Sequence, residues 1–267
     1  MKMRLTIKSK LIAYTGLMFV FLSVVVWLFY ATMEKYQGIV DVNTEINQVW
    51  ITTLELRRAE KDFLLREGTN PEFFETGSSK YLDKYQNKID QVKNTIKRVQ
   101  SNELLLSYGF NQRLNDISSY FDKYEKRFLD LVISKRELGF KDWGLVGEMR
   151  TAIYQVQDEM SDAVNLSNVL TLRKHEQDYL FRREIKYRDR LVMLVDEMKI
   201  NASDKAKIDL EAYKNSFLNI VELDEEIGTD QESGLRGELR AAVHQVEPAV
   251  NEMAENLKGV VETVKSQ

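Results

Sequence analysis

Cysteine is absent from the 267 residues, and the chain has only two prolines, twelve glycines and two histidines. Without cysteine there is neither a disulfide nor a thiolate metal site. His175 and His244 are too few for a histidine-rich metal centre, and they leave few ways to build a Ser-His-Asp site. The scarcity of Gly and Pro disfavours an all-β fold, which needs a turn about every eight to twelve residues. We therefore expect helices, and no enzyme, metal ion or cofactor.

Acidic residues are missing from the N-terminal segment. Residues 1–33 contain Lys2, Arg4, Lys8 and Lys10 but no Asp or Glu, whereas the net charge of the whole chain is −4. The remainder of the chain is therefore acidic. Because nucleic-acid phosphates require a basic surface, we expect no nucleic-acid partner.

Residues 11–33 form one apolar run without a charged residue, LIAYTGLMFVFLSVVVWLFYATM. A helix of this length crosses the roughly 30 Å hydrocarbon layer of a membrane. The alternative is a cleaved signal peptide, but its apolar core is usually only about 7 to 15 residues long and precedes a cleavage site that is missing here. The basic residues within 1–10 predict a cytoplasmic N-terminus, so residues 34–267 are predicted to lie outside the cytoplasm.

The rest of the chain has the apolar stripes of packed helices. Two stripes have apolar residues at spacings of three and four, as in a helical bundle. The first consists of Tyr81, Tyr85, Ile89, Val92, Ile96 and Val99, and the second of Phe110, Leu114, Ile117, Phe121, Tyr124, Phe128 and Leu131. Turn residues predict breaks at 68–71, 101–102, 139–144, 201–204 and 228–234.

Two motifs occur twice, in the same order. Residues 54–66, LELRRAEKDFLLR, align with 170–182, LTLRKHEQDYLFR. Residues 144–160, GLVGEMRTAIYQVQDEM, align with 234–250, GLRGELRAAVHQVEPAV. The chain is therefore predicted to be a duplicated unit of first motif, two helices and second motif.

These patterns predict an all-α fold, an elongated antiparallel bundle of two stacked four-helix modules after a transmembrane helix. In each unit the helix after the first motif is expected to continue in the same direction after a kink. The membrane-distal module would comprise about 77–137 and 186–228, and the proximal module 34–66, 145–182 and 235–267, where all four motifs would meet. This topology needs a turn near 161–168, where no Gly or Pro occurs. A continuous helix over 145–182 is the alternative.

At the repeated motifs the sequence resembles the helical bimodular sensor domain of bacterial chemoreceptors and sensor histidine kinases. The resemblance covers about residues 34–267 and rests on L-x-x-R-[RK]-x-E-x-D-[FY]-x-x-R followed by G-L-x-G-E-x-R, each in two copies. It implies a homodimeric receptor of the bacterial cytoplasmic membrane, active in chemotaxis or kinase signalling, with its bundle in the periplasm or outside the cell. It also implies a small organic acid as ligand. The signalling output is expected on a continuation of the chain after Gln267 or on a partner.

Arginines in the motifs are the candidate ligand residues. Arg57 shares a helix face with Trp50 and Leu64, and an inward arginine needs an anionic partner. A ligand carboxylate suits a guanidinium group. The alternative is an internal ion pair with Glu60, Glu176, Glu148 or Glu238. The predicted ligand-binding residues are Arg57, Arg58, Arg150, Tyr154, Arg173, Arg240, His244 and Gln245.

Other polar residues have simpler interpretations. Glu60, Asp62, Glu176 and Asp178 are expected to be structural, and His244 is either a ligand donor or a satisfied bundle histidine. The predicted core residues include Tyr81, Tyr85, Tyr120 and Tyr124, with a tyrosine-lined pocket for a small anion as the alternative. Two functions stay open: a sensor that binds a small carboxylate and shifts helices 31–66 and 235–267, or an anchored bundle with a structural or protein-binding role.

Overall fold

The computed structural model describes residues 7–161 and 164–265, so residues 1–6 of the predicted cytoplasmic segment lie outside the described residues. Within the described part the chain is all-α, and the only β-type contact is an isolated bridge between Phe140 and Trp143. The helices are α1 (Ile7–Arg66), α2 (Pro71–Thr76), α3 (Lys80–Gln100), α4 (Glu103–Ser107), α5 (Asn111–Leu138), α6 (Gly144–Asp158), α7 (Leu166–Arg182), α8 (Ile185–Ile200), α9 (Asp204–Ile227) and α10 (Gly234–Lys265).

Helix α1 is continuous over 60 residues, about 90 Å at 1.5 Å per residue. Its N-terminal half exposes apolar side chains from Leu11 to Tyr30, and none of its most apolar segment is buried within the protein. This half is long and apolar enough to cross a membrane. Its C-terminal half, by contrast, buries Ile39, Ile46 and Leu56. One unbroken helix therefore joins the predicted span to the helical bundle.

The two predicted stripes are core faces. Tyr85, Ile89, Val92, Ile96 and Val99 of α3 are buried, and Tyr81 is partly buried. The α5 stripe from Leu114 to Leu131 is buried as well. Ser79 caps the N-terminus of α3 by accepting hydrogen bonds from the backbone N–H groups of Tyr81 and Leu82.

The predicted breaks separate helices in the structure. All five fall between the helices given above. The alternative of a continuous helix over 145–182 is wrong, because α6 ends at Asp158 and α7 begins at Leu166. The new helix starts without Gly or Pro because the Asn165 side chain accepts a hydrogen bond from the Asn168 backbone.

The direction of two helices differs from the prediction. Helix α3 folds back along α1, since Lys88 lies 2.6 Å from Glu55 while Arg98 lies 3.3 Å from Glu45. Helix α8 likewise packs on α7 after a connection of two residues, where Arg183 has a left-handed φ of 56°. The expectation that each continues in the same direction after a kink is therefore wrong. The apolar stripe of α3 is covered only by reversing onto α1.

The buried side chains form two clusters. The first core is built mainly by α1, α3, α5 and α10, and the second core by α6, α7, α8 and α9. The predicted grouping, which separated 34–66 from 77–137 and joined 145–182 to 235–267, does not match these contacts. Each core instead combines three helices of one repeat with the last helix of the other. The first motif of one unit therefore packs near the second motif of the other, as the contact between Arg57 and Glu247 illustrates.

The repeat extends into α5 and α9. Residues 121–139 align with 210–228 without a gap. Both helices end at a glycine with positive φ, Gly139 at 83° and Gly228 at 97°. A Cβ atom would lie 1.9 Å from the Trp143 carbonyl oxygen at the first glycine and 2.0 Å from that of Ser233 at the second. Two equivalent glycine-dependent loops thus lead into α6 and α10, and they allow residues of the two cores to be compared pairwise.

Candidate functional site

A cleft of about 590 Å³ lies between α1, α5 and α10 on the first core. Its apolar floor includes the buried side chains of Leu131, Leu239 and Val243. Its charged lining consists of one carboxylate, Glu60, and five cations, namely Arg57, Lys61, Lys135, Arg236 and Arg240. Gln231 and His244 complete the polar lining. The cleft is therefore suited to an anion.

Arg57 is held by protein carboxylates. Its Nε atom lies 3.8 Å from Glu60, and its Nη1 atom lies 3.6 Å from Glu247. Glu60 is buried and accepts a hydrogen bond of 2.5 Å from the Tyr124 hydroxyl group. The structural role predicted for Glu60 is therefore confirmed, and the internal ion pair is the observed state of Arg57.

Burial also affects the carboxyl group of this pair. It raises the pKa of the Glu60 carboxyl group above its ordinary value, although the hydrogen bond from Tyr124 and the charge of Arg57 act in the opposite direction. The Arg57 Nε–H group is buried and has no hydrogen-bond partner among the described residues. The contacts of Arg57 with Glu60 and Glu247, at 3.8 and 3.6 Å, are therefore ion pairs without a hydrogen bond.

Lys135 is the least compensated charge of the site. No carboxylate of the described residues lies within salt-bridge distance of its ammonium group. Burial lowers the pKa of Lys135 to about 8, and the positive charges of Arg236 and Arg183 add to this effect. An anion bound beside Lys135 would reverse this shift, so the lysine favours an anion electrostatically.

Arg240 and His244 lie one turn apart on α10, and both line the cleft. Arg240 Nε donates to His244 Nε2 at 3.4 Å, and its Nη1 atom donates to Gln231 at 3.4 Å. His244 is therefore an acceptor in this arrangement. No carboxylate of the described residues pairs with Arg240, so the predicted Arg–His arrangement is free to receive one.

The second core repeats the buried triad. Tyr213 donates to Glu176 at 2.8 Å, and Arg173 lies 3.1 Å from the same carboxylate. Glu176 is buried, which raises its pKa above the ordinary value. Arg173 thus forms an internal ion pair, which was the alternative to a ligand carboxylate. The structural role predicted for Glu176 is confirmed.

Four of the predicted residues besides Arg173 lie away from the cleft. Arg150 pairs with Asp142 at 3.4 Å and donates to Tyr154 at 3.4 Å, both on the second core side. Arg58 is exposed and 4.0 Å from Asp62. Gln245 is exposed and accepts a hydrogen bond from Lys123 at 3.4 Å. Of the eight predicted residues, the structure therefore brings Arg57, Arg240 and His244 together in the cleft.

Sequence reasoning missed Lys61, Lys135 and Arg236. A signal was present for two of them. Lys135 lies four residues after Leu131, where the α5 stripe continues to Leu138. Arg236 lies one helical turn before Arg240, so the two share a face of α10.

Comparison with models of known protein families finds none that matches this chain, and comparison with curated proteins finds no matching relative. The cleft and the repeated motifs are therefore the features that bear on function.

Proposed function

We propose that the chain is the ligand-binding region of a transmembrane signalling receptor, and that it binds a small organic acid in the cleft between α1, α5 and α10. The observation that carries this proposal is the excess of cations there. Among the described residues, four of the five cations have no carboxylate within salt-bridge distance: Lys61, Lys135, Arg236 and Arg240. Lys135 and Arg236 are half-buried, which is costly for a cation unless an anion accompanies it. Lys61 and Arg240 are exposed. A di- or tricarboxylate fits this surplus better than a monocarboxylate.

The helices that bear the cations suggest how binding is relayed. Arg57 and Lys61 belong to α1, which continues into the apolar N-terminal half, and Arg236 and Arg240 belong to α10, which packs against α1. An anion bridging both helices stabilises one relative position of α1 and α10. Binding changes signalling only if the ligand prefers one such arrangement over another.

The broader architecture is part of the proposal. We propose that the two cores are two stacked four-helix modules, with α6 and α10 exchanged between repeats. Following the resemblance to helical bimodular sensor domains, the bundle faces the periplasm or the cell exterior and the receptor is a homodimer. It acts in chemotaxis or as a sensor kinase, with the output on a continuation of the chain or on a partner.

A second function, a membrane-anchored bundle without a small-molecule ligand, has one observation in its favour. Arg57 and Arg173 are both paired with carboxylates of the protein. If all inward arginines were satisfied in this way, no ligand would be needed. Lys135 and Arg236 distinguish the two functions. A bundle without a ligand leaves both cations without an anionic partner, whereas a bound organic acid would supply one.

Thermal unfolding of the full chain in an uncharged detergent tests the proposal. We expect one acid from a panel of C2 to C6 mono-, di- and tricarboxylates and amino acids to raise the unfolding midpoint by several degrees, because a ligand at a hundredfold its Kd adds about 2.7 kcal/mol. Arg240→Gln should remove most of the shift. Arg150→Gln, its counterpart at the second core, should leave it intact. If no acid shifts the midpoint, the structural function takes precedence.

A further inference from the structure

The two cores present the same positions with different charges. Aligning the repeats relates each cation of the cleft to one residue beside the second core. Arg57, Lys61, Lys135, Arg236 and Arg240 correspond to Arg173, Gln177, Asp224, Val146 and Arg150. The carboxylate Glu60 corresponds to Glu176. At these six positions the first core thus has five cations and one carboxylate, whereas the second core has two cations and two carboxylates.

The alignment is supported by contacts as well as by sequence. Tyr124 donates to Glu60 at 2.5 Å, and Tyr213 donates to Glu176 at 2.8 Å. Arg66 lies over the Tyr81 ring at 5.8 Å, as Arg182 lies over the Tyr187 ring at 5.8 Å. The corresponding residues therefore occupy corresponding places in the fold, and the charge differences are local.

Asp224 is the decisive difference. It is buried and forms an ion pair with Arg183. On the first core the corresponding residue is Lys135, for which the described part of the chain supplies no carboxylate within salt-bridge distance. The second core thus contains a carboxylate of the protein at the position where the first core leaves a cation uncompensated.

The remaining charges beside the second core are paired too. Arg173 pairs with Glu176 at 3.1 Å, and Arg150 pairs with Asp142 at 3.4 Å. Val146 replaces the arginine found at 236. Nothing in this set leaves a positive charge to be neutralised by a ligand.

We infer that the chain binds a single anion, at the first core, and that Lys135 and Arg236 are the residues that confine binding to that core. This inference rests on the proposed function and deepens it. At the second core, the position that corresponds to Lys135 is Asp224, a carboxylate of the protein that pairs with Arg183. No anionic ligand is needed there.

Equilibrium dialysis of the full chain in uncharged detergent against radiolabelled inorganic sulfate, at low ionic strength, tests the inference without knowledge of the natural ligand. We expect one sulfate per chain. Lys135→Gln and Arg236→Gln should each weaken binding at least about tenfold, as expected for the loss of a charge-assisted contact. The matched variant Arg150→Gln should change the Kd less than about twofold. Circular dichroism verifies that each variant is as helical as the parent.

Two sulfates per chain would overturn the inference, as would an equal loss of affinity in Arg150→Gln and Arg236→Gln. Absence of sulfate binding would also overturn it. The proposed function fails in a different way, when one sulfate binds at the first core but no organic acid shifts the unfolding midpoint.

Discussion

Lys135→Met should stabilise the protein without ligand and weaken its anion binding at least about tenfold. The pKa of Lys135 is lowered to about 8 by burial and by Arg236 and Arg183, whereas an unfolded lysine has a pKa near 10.4. Each unit of such a shift corresponds to about 1.4 kcal/mol. Because the side chain is partly exposed, we expect a gain of about 2 kcal/mol in the free energy of unfolding at pH 7, measured by urea denaturation.

The pH dependence gives an independent check of the same residue. Between about pH 8 and 10 the unfolded chain binds more protons at Lys135 than the folded chain does, so the stability contribution of this group rises with pH. The free-energy cost of a charged Lys135 in the folded protein is fully present below about pH 8. It disappears above the pKa of lysine in the unfolded chain. The difference in stability between Lys135→Met and the parent should therefore shrink as pH rises. A stability difference that does not change with pH, or a Lys135→Met variant less stable than the parent, would show that the charge of Lys135 does not destabilise the folded protein.

Asp224→Asn should destabilise the protein by about 3 kcal/mol. The substitution removes the partner of Arg183, whose pKa is already lowered by burial and by Arg236. Truncating one member of a largely buried ion pair is costly because the other charge stays buried and unpaired. Arg183 would then have no ion-pair partner, while the charge of Arg236 continues to lower its pKa.

A surface pair supplies the matched control. Asp62 lies 4.0 Å from Arg58 and 3.6 Å from Arg66, near the protein surface. Asp62→Asn should cost less than about 0.5 kcal/mol. In the Asp224→Asn background, Lys135→Met should recover more stability than it adds to the parent, because the two sites share electrostatic neighbours. If Asp224→Asn lowers the free energy of unfolding no more than Asp62→Asn does, the ion pair between Asp224 and Arg183 does not stabilise the protein.

Periodicity was sufficient to predict individual helices but not their partners. The stripes of α3 and α5 identified buried faces because an apolar face must be covered whatever covers it. The same stripes contain no information on which helix supplies the cover. The exchange of α6 and α10 between repeats was therefore missed, although both motifs that these helices carry had been recognised.

The site was predicted in part for a related reason. Arg57 and Arg240 can be predicted because they recur in the repeats. Lys135 and Arg236 are the residues at which the repeats differ, so a search for similarity passes over them. The spacing of Arg57 and Glu60 makes an internal pair possible, but only the distance of 3.8 Å between the two side chains shows that it is formed.

The most direct test of a sensor is the movement of α1 against α10. Because the chain has no cysteine, spin labels can be attached at Gln37→Cys and Glu262→Cys, two exposed positions of these helices, in the full chain in lipid nanodiscs. We expect the acid that most raises the unfolding midpoint to shift the distance between the labels by about 1 to 2 Å, a size typical of signalling helix shifts. Lys135→Met should abolish the shift. An acid that binds the parent chain while the distance stays unchanged would contradict the proposal that this protein relays ligand binding through α1 and α10.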